Sequence, residues 1–156
     1  VGGKVGQIKS AIKTDTQSFT TALTFADITD LSIAITPSTT SSKFLVGFNV
    51  SCGANTNNQT TYLRAVRDTT PLTVADTAGN RTSGTNVISV NINYDLLMAS
   101  NTLLDEPSTT SEITYKVQMT SSNTNPAYVN RTGRDFDSAE YDGRAISTMY
   151  VMEILP

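Results

Sequence analysis

The side chains with the most chemical potential fall in one run. Gly133-Arg134-Asp135-Phe136-Asp137-Ser138-Ala139-Glu140-Tyr141-Asp142-Gly143-Arg144 gathers four carboxylates. Oxygen ligands at such close spacing are what Ca²⁺ takes. The run lacks the Asp-x-Asp-x-Asp-Gly order and the distal Glu of an EF-hand loop. Arg134 and Arg144 flank it, so a solvated loop with its acids met by arginine is the expectation, with no metal. Two carboxylates about 5–10 Å apart could hydrolyse a glycoside. Any of the 14 acidic residues could enter such a pair, and 156 residues leave little chain for a long glycan groove. Cys52 is the one thiol in a sequence without His. It lacks the base that would make it a nucleophile, so it is expected to be buried and inert. Gly2, Gly3 and Gly6 are followed by neither Gly-Lys-Ser/Thr nor a helix. They read as a flexible lead-in over residues 1–6, not as a phosphate cradle. No catalytic residue, cofactor site or enzymatic activity is expected.

Binding is the chemistry that remains. Arg64, Arg67, Arg81, Arg131, Arg134 and Arg144 are most of the 11 basic residues. A guanidinium fork engages carboxylates and sugar acids bidentately. Asn55, Asn57, Asn58, Arg81, Tyr128, Arg131 and Arg134 are the candidate ligand contacts. The loops that would carry such contacts span 53–60, 78–86, 121–127 and 133–143, and a host-surface glycan or protein is the candidate ligand. The bland alternative has Arg64 and Arg67 pairing with Asp68, Asp76 or another nearby acid and ordering the fold. Glycosylation-type triplets begin at Asn49, Asn58, Asn80 and Asn130. With 26 Thr, 16 Ser and 12 Asn in the chain, such matches arise by chance.

Those residues need elements to hold them, and composition points to strands. Thr, Ser and Asn supply 54 of 156 residues (26, 16 and 12), while charged residues supply 16%, against roughly 25% in typical soluble domains. Thr and β-branched apolar residues favour strands. A net charge of −3 and a pI near 4.8 argue against nucleic acid as a partner. No apolar run approaches the ~18 residues of a membrane span, and no apolar segment behind a basic start marks a secretion signal. A single Cys builds no disulfide framework. The first residue, Val1, fits either a fragment of a longer fibre or a chain trimmed after its initiator. The length suits one domain, 1–156.

Period-two alternation is clear in four runs: Leu31–Ile35, Phe44–Ser51, Ile113–Thr120 and Ile146–Ile154. Pro37 ends the first of them. The last has two faces, with Ile146, Thr148, Tyr150, Met152 and Ile154 on one and Ser147, Met149, Val151 and Glu153 on the other. Weaker strand candidates are 5–13, 18–26, 60–68, 71–76, 86–98 and 127–131. Turn signals at Pro37-Ser38-Thr39, Ala78-Gly79-Asn80, Asp105-Glu106-Pro107 and Asp142-Gly143 separate them. Residues 95–104 are the most helix-tolerant stretch. Strands whose outward faces carry few charges need their edges covered. Contact with identical copies is one way to do that, and Tyr62, Met149 and Tyr150 are then either core or subunit contact.

In order along the chain, these segments resemble a family of phage tail-fibre and virion-associated domains, found especially in marine and cyanobacterial phages. Gly3-Lys4-Val5-Gly6-Gln7-Ile8 is similar to the family's Gly-Lys-Val-Leu-Gln-Val opening, with Gly6 in place of Leu. Lys13-Thr14-Asp15-Thr16, Asp27-Ile28-Thr29-Asp30-Leu31-Ser32-Ile33, Ile35-Thr36-Pro37-Ser38 and Ser41-Ser42-Lys43-Phe44-Leu45-Val46 continue the likeness. Leu63-Arg64-Ala65-Val66-Arg67-Asp68 resembles its Leu-Val-Arg-Asp strand, and Ala78-Gly79-Asn80-Arg81 its Ala-Gly-Ser-Arg turn. Pro107–Ser111 with Thr114–Gln118, Tyr128–Arg131 and Ser147–Ile154 complete it. The resemblance implies a virion component, a jelly-roll-like fold and a homotrimer, and it carries over no catalytic residue.

The expectation is therefore an all-β protein, a jelly-roll-like antiparallel β-sandwich of about 8–10 strands. It would be a phage virion structural protein, assembled in the host cytoplasm with other virion proteins: a trimeric fibre head or tip that adheres to the host cell. The alternative is a capsid decoration or head-fibre protein with a purely structural role, and a small glycan-processing enzyme stands third.

Overall fold

A computed structural model describes residues 3–137 and 139–156. The described residues form eleven strands: β1 (Lys4–Lys13), β2 (Gln17–Phe19), β3 (Ala26–Ile35), β4 (Lys43–Ala54), β5 (Gln59–Arg67), β6 (Thr70–Pro71), β7 (Asn86–Val90), β8 (Leu97–Asp105), β9 (Ile113–Ser121), β10 (Ala127–Val129) and β11 (Ser147–Leu155). One sheet runs β1-β11-β4-β8, with β10 and then β2 joined to the far part of β4. The other runs β3-β9-β5, with β6 and β7 both on β5. Every strand pairing is antiparallel.

Set aside the short pieces β2, β6 and β10. The remaining eight strands, counted in chain order, then stand as first-eighth-third-sixth in one sheet and second-seventh-fourth-fifth in the other. That order is the jelly roll, two interlocked Greek keys facing each other. The count of eleven exceeds the expected 8–10 by such short pieces.

The four alternating runs become β3, β4, β9 and β11, because each puts one apolar face inward. Phe44, Val46, Phe48 and Val50 of β4 pack with Tyr115, Val117 and Met119 of β9 in one buried cluster. Phe44 and Tyr115 meet ring to ring at 5.7 Å. Cys52 joins the same cluster, and burial pushes its thiol up to about 12. On β11 the inward residues are Ser147, Met149, Val151 and Glu153, so the more apolar of its two faces points away from the core.

Several sequence expectations are corrected. Lys4 to Gly6 are not a loose lead-in: Lys4 and Val5 already pair with Leu155 and Ile154, and a bulge between Val5 and Ile8 absorbs Gly6. The rest of that lead-in, Val1 and Gly2, lies outside the described residues, as does Ser138. Of 95–104, residues 97–104 belong to strand β8, because the β4 edge offers nine successive partners from Phe44 to Cys52. Of 18–26, residues 20–25 form a connection, and of 71–76 only Pro71 is paired. The run 86–98 is broken at 91–96 by a turn in which the Asp95 amide donates to the Ile92 carbonyl.

Charge is used sparingly inside. Arg67 on β5 reaches across to Asp105 on β8 at 2.6 Å, an ion pair that ties the two sheets, and Lys13 on β1 reaches Asp30 on β3 at 3.8 Å. Asp105 also accepts from Tyr115 at 2.7 Å. Burial, and then that hydrogen bond, raise the tyrosine pKa. Arg64 instead bonds Gln118 and lies 4.1 Å from the Phe25 ring. Glu153 is fully buried under the turn that follows β3. Burial alone would raise its pKa. Donation from the Ser42 hydroxyl, the Ser38 amide and hydroxyl, and Gln7 outweighs burial and holds it below the ordinary value.

A depressed carboxyl stabilises the fold above the ordinary glutamate value, and that contribution is lost as pH falls through the folded value. Glu153→Gln is expected to cost about 1.5–3 kcal/mol at neutral pH and to flatten the acid limb of stability. Denaturant unfolding at a series of pH values checks both, and an acid limb as steep as the parent's would contradict it.

Candidate functional site at the loop end

β4 hands its edge from one neighbour to another. β11 pairs with it from Lys43 to Asn49, and β10 takes over from Cys52 to Ala54. β10 ends at Val129 and β11 begins at Ser147. The chain between, residues 130–146, must leave β4 and return beside its point of departure. It forms a closed excursion of the kind in which surface function is often placed.

Asn130 clamps the base. It is fully buried and its φ is 64°, a left-handed value that Asn tolerates better than most residues. Its amide donates to Ser51 O, and its side-chain NH2 donates to Lys13 O and Asp15 O. Its Oδ1 accepts from the Ser147 hydroxyl at 2.6 Å. Arg131 and Arg144 then pair as an antiparallel bridge.

Two further loops are sewn onto the excursion. The Asn93 amide donates to Asn57 Oδ1 at 3.1 Å, and the Asn93 carbonyl accepts from the Gly133 and Arg134 amides at 2.7 and 3.0 Å. Asn58, with φ 57°, donates its amide to Asn91 O. Gly133 is required by closeness: a Cβ there would sit 1.9 Å from Ala54 O.

The charged run is paired with arginine. Asp142 binds Arg134 at 2.7 Å, and Asp135 binds Arg131 at 3.1 Å and Arg144 at 2.8 Å. The Asp142 carboxyl is nearly shielded from solvent. The Thr132 hydroxyl first, and Arg134 after it, hold it below the usual carboxylate range. A general acid for glycoside cleavage needs the opposite shift. Among the described residues no group of three or more His, Cys, Asp or Glu is placed to hold a metal ion.

Arg134 sits among three rings, 4.9 Å from Tyr94, 5.3 Å from Phe136 and 5.7 Å from Tyr141. These rings are 45%, 65% and 56% exposed. Asp135, Phe136, Asp137, Ala139, Asp142 and Arg144 line a depression of about 450 Å³ beside them.

The seven residues singled out from sequence divide unevenly. Asn55, Asn57, Asn58, Tyr128, Arg131 and Arg134 belong to this one end. Tyr128 is buried at 6% exposure and serves as a platform, with its hydroxyl donating to Asn55 and Arg131 stacked 3.5 Å over its ring. Arg81 stands apart in the β6–β7 connection, folded back onto Ala78 O. The exposed rings of Tyr94, Phe136 and Tyr141 are absent from that selection. Their signal in the sequence is large aromatics set among turn-forming and charged residues, where no alternating pattern gives them a core to enter.

No family model matches the chain, and no curated protein matches it. Among solved structures the chain is similar to the VP2 subviral particle of infectious bursal disease virus, with a TM-score of 0.43 and 14% identity. That likeness covers 96% of this chain and 42% of the other, so the chain spans less than half of that protein's length. The class of the fold, a two-sheet jelly roll, is defined by the strand order itself. Among the described residues no helix is long and apolar enough to cross a membrane.

Loss of either partner should move the Asp142 carboxyl. Thr132→Val and Arg134→Met are each expected to raise its pKa, as read by carboxyl-carbon NMR titration. An Asp142 that titrates unchanged in both variants would contradict the pairing.

Proposed function

We propose that this chain is a virion structural protein, a trimeric fibre head or tip that attaches a phage to its host, and that the 130–146 end makes the contact. Support for the virion setting comes from the ordered sequence resemblance to phage fibre and virion-associated domains, together with the jelly-roll topology. The observation that carries adhesion is the ring cluster. Tyr94, Phe136 and Tyr141 stand exposed on a base that Asn130, Asn93 and Gly133 hold through hydrogen bonds.

The ligand class we assign is an uncharged glycan. Exposed aromatic faces give sugar C–H groups an apolar bed, and fixed polar groups set orientation. The arginines of the run already have carboxylate partners. Residues 131–144 carry three Arg against Asp135, Asp137, Glu140 and Asp142, so an acidic sugar would meet more negative charge than positive. One such site is shallow and weak. Three on a trimer gain avidity of about 10²–10⁴ when the copies engage one surface together.

Purified protein is expected to bind host cells and their extracted neutral polysaccharide, without releasing reducing ends. Phe136→Ala with Tyr141→Ala should weaken that binding at least about tenfold, with little change in unfolding midpoint because both rings are exposed. Undiminished binding by the double variant would refute the site. Binding to bare capsids and none to cells would favour the decoration role.

A further inference from the structure

The outer face of the β1-β11-β4-β8 sheet carries an apolar row, with Ile8, Val5 and Leu104 exposed among the described residues. Directly paired residues share a face, so the register places Ile8, Met152, Leu45 and Leu104 in one line across the four strands. Val5 and Ile154, the next outward pair, extend it toward one end of the strands. Ile8 is 63% exposed, Val5 54% and Leu104 53%.

One row over, Ser10, Tyr150, Gly47 and Thr102 are aligned in the same way. The Tyr150 ring lies flat over Gly47, where a Cβ would stand 2.2 Å from it, and its hydroxyl meets that of Thr102 at 3.1 Å. The ring is thereby pinned and the face stays level.

Resting on the trimer proposed above, we infer that this face is the contact between its copies. Charge selects that occupant. The outward positions of β1, β11, β4 and β8 are apolar or neutral, except Lys43, which is already bound to Glu106 at 2.6 Å. The chain as a whole carries −3, so net charge supplies no attraction between two copies. This face meets its like without charge repulsion. Met, Tyr and large aliphatic residues with charge removed are the composition of an interface centre.

Four strands about 4.8 Å apart, over seven residues at about 3.3 Å, give roughly 400 Å² in plan, and more with side-chain relief. A stable interface removes about 800 Å² from each partner, so this face supplies the centre of such a contact and the surrounding surface the rest. Apolar patches of this extent on a lone chain are commonly functional.

The row crosses β4 at Leu45, while the loop end packs at Ala54, nine residues on (54 − 45), or about 30 Å. Assembly and adhesion are thus separable. The intact chain should run in light scattering as a multiple of 16.7 kDa. Ile8→Asp with Leu104→Asp should weaken self-association on the order of 100-fold, since each copy would bury unpaired charge, while circular dichroism stays that of the parent. Ile8→Ser with Leu104→Ser supplies the same test without added charge if the Asp pair disturbs folding. Phe136→Ala should assemble as the parent does. A parent that stays at 16.7 kDa at high concentration overturns the inference and leaves the face to a different virion protein. So does a well-folded double variant that assembles normally.

Discussion

The edge of β4 is divided between two partners, and the rest of the molecule is arranged around that division. β11 holds the first part of the strand and β10 the last. A strand edge that changes partner leaves two chain ends close together and a segment that must go out and come back. Here that segment is 130–146. Its position is enforced by hydrogen bonds to backbone: Lys13 O at the end of β1, Ser51 O on β4 and Asn93 O in the turn between β7 and β8. The scaffold therefore positions the exposed rings through main chain, the least mobile part available.

The same economy governs the polar interior. With few charges in the chain, buried polar groups are met by hydroxyls and amides. Glu153 is satisfied by serines, a backbone amide and a glutamine. Gln59 is satisfied by Thr56, Ser121 and the Asn125 carbonyl. Among the described residues Thr61 Oγ1 is the buried side-chain atom left without a partner. Neutral donors of this kind offset the desolvation of the Glu153 carboxylate without burying a counter-charge beside it. The outer face of the β1-β11-β4-β8 sheet is nearly free of charge, which leaves room for the row through Ile8 and Leu104, while the outer face of the other sheet carries Arg64, Lys116 and Asp27.

The fold was legible wherever one face of a strand was uniformly apolar. β4 and β9 announce themselves by strict alternation, and β3 by its close at Pro37. β11 shows the limit of that reading. Its more apolar face is outward, so alternation gives the strand but not the direction of the core. β8 was obscured by Leu96-Leu97-Met98, which has no clean period, and its pairing is decided by the β4 edge and not by its own sequence. The short β10 pairs with the opposite edge of β4, beyond β11, and β2 pairs in turn with β10. The arginine and asparagine part of the loop end was legible as polar residues grouped near turns. Its convergence was not, because Asn57, Asn93 and Gly133 are brought together by strand order, which no local pattern encodes. Arg81 was selected by the same reasoning and lies elsewhere for the same reason.

If the divided edge holds the 130–146 excursion in one conformation, its bonded amides must be protected. Native-state hydrogen exchange on Asn130, Gly133, Arg134 and Ala145, each an amide with a backbone acceptor, measures this residue by residue. The expected result is exchange slowed in step with the β10 amides that pair with Cys52–Ala54. Exchange at unfolded-chain rates for all four, with β10 still protected, would mean that the rings stand on no fixed base.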